Sequence, residues 1–313
     1  MHIVCSTDNN YVMPTGVMIC SVLENNKEEQ VVFHVLGSDL AEDSKESLSR
    51  IAKAYGKEIH FYTVNDDDFK DFPINQKGQN NHIRSLATYY RLLMGIILPP
   101  TVKKVIYLDG DVIVRHSLLE LWNTKMENLP VAGVPDVAFC KVSHYNRLRY
   151  PMSLGYFNAG VLLINLDYWR EHEVISEFYE IARKFHDRLT CHDQDILNYA
   201  FKENKILLNM KYNMEHWFFY KKKFYETSWN LEDEIKSALH DPVIVHYTGY
   251  DKPWYKECNH PYRNEFIKYL SMTEWKNKPM KRLHSHLWYF LHNARVSLGY
   301  AYNQTFAKRY TEF

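Results

Sequence analysis

Short runs of aliphatic and β-branched residues recur along this chain, separated by stretches with helical spacing. That alternation confines a chain to a sheet layered by helices. Strands are predicted at residues 3–6, 31–36, 58–64, 105–108, 131–134, 161–165 and 243–246. A helix is predicted over 44–55, with Leu48, Ile51, Ala52 and Tyr55 on one stripe, and another over 174–186. In the second, Val174, Phe178, Ile181, Ala182 and Phe185 recur at three- and four-residue steps. At 313 residues the chain can bury a large core, and the expectation is one α/β domain over 1–275 with a distinct tail over 276–313.

Charge narrows the function classes. The 38 basic and 38 acidic residues cancel, so there is no global field of the kind a nucleic-acid binder carries, and no nucleic-acid partner is expected. Five scattered cysteines show no metal-finger spacing, which points to a reduced, cytoplasmic protein. The N-terminus lacks the regions of a signal peptide, and no stretch is apolar enough to span a membrane. The tail differs from the rest. It carries Lys276, Lys278, Lys281, Arg282, Arg295, Lys308 and Arg309 against Glu312, and places Leu283, Leu287, Phe290, Leu291, Ala294, Leu298 and Ala301 on one helical stripe. Such a basic, aromatic helix suits either packing on the domain or peripheral attachment at the inner face of an anionic membrane. Residues 72–85, with Pro, Gly and a Gln/Asn run, read as a long polar loop of the kind that covers a ligand.

The chemistry-bearing feature is an apolar strand that runs into Asp109-Gly110-Asp111. In extended chain, residues two apart project to the same side, so both carboxylates can face one cation. Gly110 leaves backbone room between them. Two acids at a buried strand end are costly unless a cation compensates them. A second apolar strand ends in His246, followed by Gly249 and Lys252. Two carboxylates and an imidazole suit Mn²⁺, with Mg²⁺ the alternative, better than Zn²⁺ or Ca²⁺. Lys252 is placed to meet a phosphate.

Six motifs stand in a recognisable order. They are Ile-Val-Cys-Ser-Thr-Asp-Asn-Asn-Tyr at 3–11, Thr-Tyr-Tyr-Arg-Leu at 88–92, Tyr-Leu-Asp-Gly-Asp at 107–111 and Phe-Asn-Ala-Gly-Val at 157–161. His-Asp-Gln-Asp-Ile-Leu-Asn at 192–198 and His-Tyr-Thr-Gly-Tyr-Asp-Lys-Pro-Trp at 246–254 complete the set. With these the chain resembles glycosyltransferase family 8, retaining enzymes of the GT-A fold, and is most similar to bacterial lipopolysaccharide galactosyl- and glucosyltransferases. The resemblance implies a Rossmann-like mixed sheet flanked by helices. It implies that Asp8 and Asn10 hydrogen-bond uracil, that Tyr11 stacks on it, and that Asp109, Asp111 and His246 bind the metal. It further implies that Lys252 and Gly249 meet the diphosphate, that Arg91, Asp193 and Asn158 hold the donor sugar, and that Gln194 lies beneath the anomeric carbon. Asp195 is the nearby stronger nucleophile. His82 stands near a further phosphate contact, though the preceding loop departs from the family spacing.

The resemblance thus implies transfer of galactose or glucose from UDP to an oligosaccharide or glycolipid acceptor. Negative charge then grows on the leaving UDP and positive character on the sugar, which a metal with Lys252, and carboxylates, respectively stabilise. Gln194 is a poor nucleophile, which favours front-face attack by the acceptor over a covalent intermediate. Competing readings are a metal-dependent phosphodiesterase, a nucleotide-sugar binding protein without turnover, and a protein- or self-glucosylating enzyme of the same fold.

Overall fold

Each predicted apolar run becomes a strand in the computed structural model, which describes residues 1–73, 85–137, 142–219, 231–249 and 252–282. Most of the loop at 72–85, His82 with it, and the tail beyond 282 lie outside the described residues. The strands are β1 (His2–Ser6), β2 (Val32–Gly37), β3 (Glu58–Thr63), β4 (Lys104–Leu108), β5 (Val112–Val114), β6 (Val131–Pro135), β7 (Phe157–Asn165), β8 (Ile206–Leu207), β9 (Met214–Glu215) and β10 (Ile244–His246). Seven form one sheet in the order β3-β2-β1-β4-β7-β6-β8. Strands β3, β2, β1 and β4 are parallel, and β7 runs antiparallel between β4 and β6.

Side-chain alternation splits the core into two layers. Ile3, Ile106, Leu108, Val161 and Leu163 pack on one face, while Val4, Val105, Tyr107, Leu162 and Ile164 pack on the other. A sheet covered on both sides needs strands apolar at every position, which is why these runs read as continuous rather than alternating. The edge strand β3 shows no such burial.

The predicted helices appear at Glu42–Ala54 and Val174–Lys184. A helix the periodicity did not reveal, Val12–Asn25, follows β1 and is buried from Val12 to Leu23 except at Met13. Apolar on nearly every face, it has no stripe to detect. Helices Glu232–His240 and Arg263–Leu270 also lie outside the predicted ones.

Two differences shape the site. Strand β7 begins at Phe157, four residues before its predicted start, because Asn158, Ala159 and Gly160 have little strand propensity of their own. Pairing recruits them: Phe157 lies opposite Pro135 beyond an irregularity in β6, and the Asp109 amide donates to the Gly160 carbonyl at 2.8 Å. Strands β5, β10 and β9 form a second, three-stranded sheet in that order. Val112 and Glu215 both pair with His246, so these residues share one rung. Residues 276–282 stay on the domain, where Tyr255 and Lys281 form an isolated bridge.

Candidate active site

The main sheet hands the chain to the small sheet at Asp109, Gly110 and Asp111. This stretch turns between β4 and β5 rather than remaining extended, so the acids meet through a crossover and not through strand alternation. The space at Gly110 is taken by the protein itself, since a Cβ there would lie 2.6 Å from Thr15 Oγ1 and 3.1 Å from Tyr11 Cδ1. This corrects the reading of Gly110 as room for a ligand. The opening glycine is Gly160. A Cβ on it would lie 2.2 Å from His246 Cε1 and 2.9 Å from Asp109 Oδ2.

Asp109, Asp111 and His246 each offer a ligand atom within 4.8 Å of the others. Each carboxylate divides its oxygens. Asp109 Oδ1 accepts from Arg91 Nη2 at 2.8 Å and Tyr107 Oη at 3.1 Å, while Oδ2 faces His246 Nε2 at 3.9 Å. Asp111 Oδ2 accepts from Lys252 Nζ and Tyr11 Oη, while Oδ1 lies 3.4 Å from His246 Nε2. Two carboxylate oxygens and an imidazole nitrogen therefore face a common point in a cradle that a side chain at 160 would fill. This donor set fits a divalent ion with mixed oxygen and nitrogen preference. Burial would push the Asp111 carboxyl up, but the Lys252 and His246 charges outweigh it and hold the group well below the usual carboxylate range.

Arg91 ties this cradle to the part of the cleft lined by Asp193 and Gln194. Its guanidinium stacks 4.2 Å over Tyr107, and its Nε lies 2.9 Å from Asp193 Oδ2. Burial alone would lower its pKa, yet Asp109 and Asp193 hold it above its ordinary value and firmly charged. Asp193 also accepts from the Thr88 hydroxyl. Burial raises its pKa against the pull of Arg91 and Thr88.

Asp193 and Gln194 sit in the first turn of helix His192–Ala200. The helix opens at His192 with φ of +48°, a conformation uncommon for a residue with a Cβ. Contacts of the His192 ring with Tyr89 Oη at 3.0 Å and the Pro73 carbonyl at 2.9 Å hold it there. Gln194 Oε1 accepts from the Ala159 amide and its Nε2 donates to Asp136 Oδ2, both at 2.9 Å. Asn158 Nδ2 donates to Asp136 Oδ2 at 3.2 Å and Glu215 Oε2 at 3.3 Å. Burial, and then the charge of Asp136, push Glu215 well above the usual carboxylate range.

These groups line a cleft of about 670 Å³ that also includes Tyr11, Gly249, Lys252 and Trp254. That volume is ordinary for a small-molecule site. Asp8, Asn10 and Asp195 are not among the residues that line this cleft. Asp8 Oδ1 accepts from the amides of Asn10 at 2.8 Å and Tyr11 at 3.1 Å, shaping the approach to helix Val12–Asn25. Asn10 borders a smaller adjoining cavity of about 110 Å³ with Trp254, Tyr255 and Trp275. Asp195 is not brought to the cleft. It is fully buried, and its oxygens accept from Arg147 at 2.6 and 2.8 Å, Tyr156 Oη at 2.7 Å, and the amides of Thr190 and Cys191 at 2.7 and 2.8 Å.

Sequence reading missed Thr88, Asp136, Asn213, Glu215 and Trp254. Thr88 and Trp254 stood inside quoted motifs. Asp136 directly follows β6 and was detectable by the argument that singled out Asp109. Asn213 and Glu215 belong to a segment with a two-residue strand, too short for any periodic signal.

A family model described as glycosyl transferase family 8 matches residues 2–258. The sequence is 28% identical over 279 residues to general stress protein A of Bacillus subtilis, covering 88% of this chain and 94% of that protein. It is 30% identical over 278 residues to a lipopolysaccharide 1,2-glucosyltransferase of Escherichia coli, covering 88% of this chain and 79% of that one. Among solved structures, the galactosyltransferase LgtC in complex with donor and acceptor sugar analogs superposes with a TM-score of 0.80 at 29% identity, covering 89% of this chain and 100% of that chain.

Proposed function

The chain belongs to glycosyl transferase family 8, with the mixed sheet of the GT-A fold, and from that membership we propose that it transfers galactose or glucose from a UDP-sugar to a saccharide acceptor with retention. The observation that carries this reading is the divided use of the two carboxylates, each giving one oxygen to a protein cation and turning the other toward His246. Asp109, Asp111 and His246 would hold Mn²⁺, with Mg²⁺ the alternative. When bound, such an ion supplies positive charge against the diphosphate of the leaving nucleotide.

The chain's own residues do the rest. Lys252, on the loop that turns at Gly249 (φ +78°), brings a second positive charge to the leaving-group side. Tyr11 and Trp254, edge to face at 5.3 Å, offer the base an aromatic surface, and Asp8 and Asn10, just before Tyr11 in the chain, would meet its polar edge. Arg91 and Asp193 orient the donor hydroxyls, while Asn158, first expected beside them, has its amide engaged by Gly160, Asn213, Asp136 and Glu215 and shapes the wall of the cleft instead. The Gln194 amide is held at both ends, neutral and fixed. That supports attack by the acceptor from the leaving-group face over a covalent intermediate. The five donors on Asp195 support leaving it out of the chemistry. Similarity to a lipopolysaccharide glucosyltransferase supports a glycolipid oligosaccharide as acceptor.

The test is nucleotide release from a panel of UDP- and GDP-sugars with Mn²⁺, with and without chelator. Chelator-sensitive hydrolysis of UDP-galactose or UDP-glucose is expected, falling on the order of 100- to 1,000-fold in Asp111→Asn. Binding of a UDP-sugar with no release under any condition would replace this reading with a non-catalytic one.

A further inference from the structure

The hydrogen bonds behind the metal cradle all run in one direction, and a backbone amide sets that direction. The Gly160 N–H donates to Asn158 Oδ1 at 2.8 Å, so that end of the Asn158 amide must be its oxygen. The same oxygen lies 2.9 Å from the Asn213 side chain, which must then present its NH₂. Asn213 is fully buried, and its remaining end, the oxygen, faces His246 Nδ1 at 2.9 Å. An amide oxygen only accepts, so Nδ1 must carry the proton. An imidazole that ligates a metal ion is neutral and so carries one N–H. Its Nε2 therefore bears the lone pair, and Nε2 is the nitrogen turned toward Asp109 and Asp111.

We propose that Asn213 is a positioning residue that locks His246 in its Nδ1-protonated tautomer, so that Nε2 is ready to ligate a divalent ion before the ion arrives. This rests on the metal role given to His246 above. Without Asn213 the ring would be free to protonate Nε2, the form an isolated histidine side chain prefers, and that form aims a hydrogen at the metal position. Partners of this kind behind metal-bound histidines change metal affinity by about 10- to 100-fold when removed. The lock also reaches past the metal. Asn158, held by the same two oxygen contacts, must direct its NH₂ to Asp136 and Glu215, and Asp136 in turn accepts from Gln194. One backbone amide thereby orients the imidazole at one end and the carboxyl that holds Gln194 at the other.

The experiment uses the full chain, wild type and Asn213→Ala, with two readouts. Long-range ¹H–¹⁵N spectra of the metal-free protein at mildly alkaline pH report the imidazole tautomers, with His246 assigned by the signal missing from His246→Gln. The paramagnetic resonance signal of unbound Mn²⁺ during a titration reports affinity. The wild type is expected to show Nδ1–H at His246. In Asn213→Ala the tautomer should shift toward Nε2–H, and the dissociation constant for Mn²⁺ should rise about 10- to 100-fold with the fold intact by circular dichroism. An Nε2–H tautomer in the wild type overturns the proposal whatever the variant does, including if the variant fails to fold. An unchanged tautomer with affinity within two-fold in a folded Asn213→Ala also overturns it. Failure of the wild type to bind Mn²⁺ would instead overturn the metal reading, leaving the tautomer spectra to judge the role of Asn213 separately.

Discussion

Gly160 owes its identity to the ring that stands over it. Its φ is not in the left-handed region, so backbone freedom is not the reason; a Cβ would occupy the place of the His246 imidazole. Gly160→Ala should therefore move a ligand more than it disturbs the fold. The expected outcome is a Mn²⁺ dissociation constant raised at least about 10-fold, with an overpacking cost of about 1–3 kcal/mol in denaturant unfolding. A variant that binds Mn²⁺ as the wild type does would show that His246 need not lie over this glycine. The contrast with Gly110 is instructive. Both flank the acids, yet one glycine admits the His246 ring and the other admits the side chains of Tyr11 and Thr15. Which is which could not be read from the motif, because the occupants come from distant segments.

Helix His192–Ala200 carries Asp193 and Gln194 on its cleft side, and Asp195 anchors it from behind. Removing the cation of that anchor leaves a fully buried carboxylate with three neutral donors. Arg147→Met should lower stability by about 3–5 kcal/mol, because a buried charge has lost its partner. Arg147→Met combined with Asp195→Asn should recover part of the loss and retain glycosyl transfer, measured by thermal unfolding and nucleotide release. Complete loss of turnover in a stably folded double variant would return Asp195 to the chemistry. A similar lesson applies to β7. Its first residues were read as a motif and not as a strand, although the strand is what brings Asn158 and Gly160 beside Asp109. Propensity failed there because neighbouring strands, not local preference, impose the extended conformation.

Across the whole molecule, one expected source of acid sensitivity is a histidine group on β2 outside the cleft lining, acting alongside buried His260, whose pKa burial also lowers. His34 on β2 is buried beside His2, at 3.0 Å, and Tyr62, at 2.9 Å, with the His60 ring stacked 5.7 Å away. Burial, then the charges of His2 and His60, push its pKa down to about 4 from 6.5. The folded state keeps this ring neutral while the unfolded chain takes up a proton below 6.5. Its contribution is thus full above that pH and lost as pH falls toward 4. The melting temperature should drop on the order of 5 °C across that window, and His34→Gln should flatten the profile. An equally steep profile in the variant would assign the acid sensitivity elsewhere. At this scale the division between sequence and tertiary structure is clear. Local patterns determined seven of the ten described strands, the layered α/β class, and the acids and imidazole at strand ends, because burial on both faces of a sheet demands continuous apolar runs. Only the tertiary structure decided that the chain crosses to a second sheet at Gly110, that Asn213 and Glu215 stand beside His246, and that Asp195 turns inward. Those contacts join residues from distant segments, and they arise from strand pairing between sheets, which leaves no repeating mark on either segment alone.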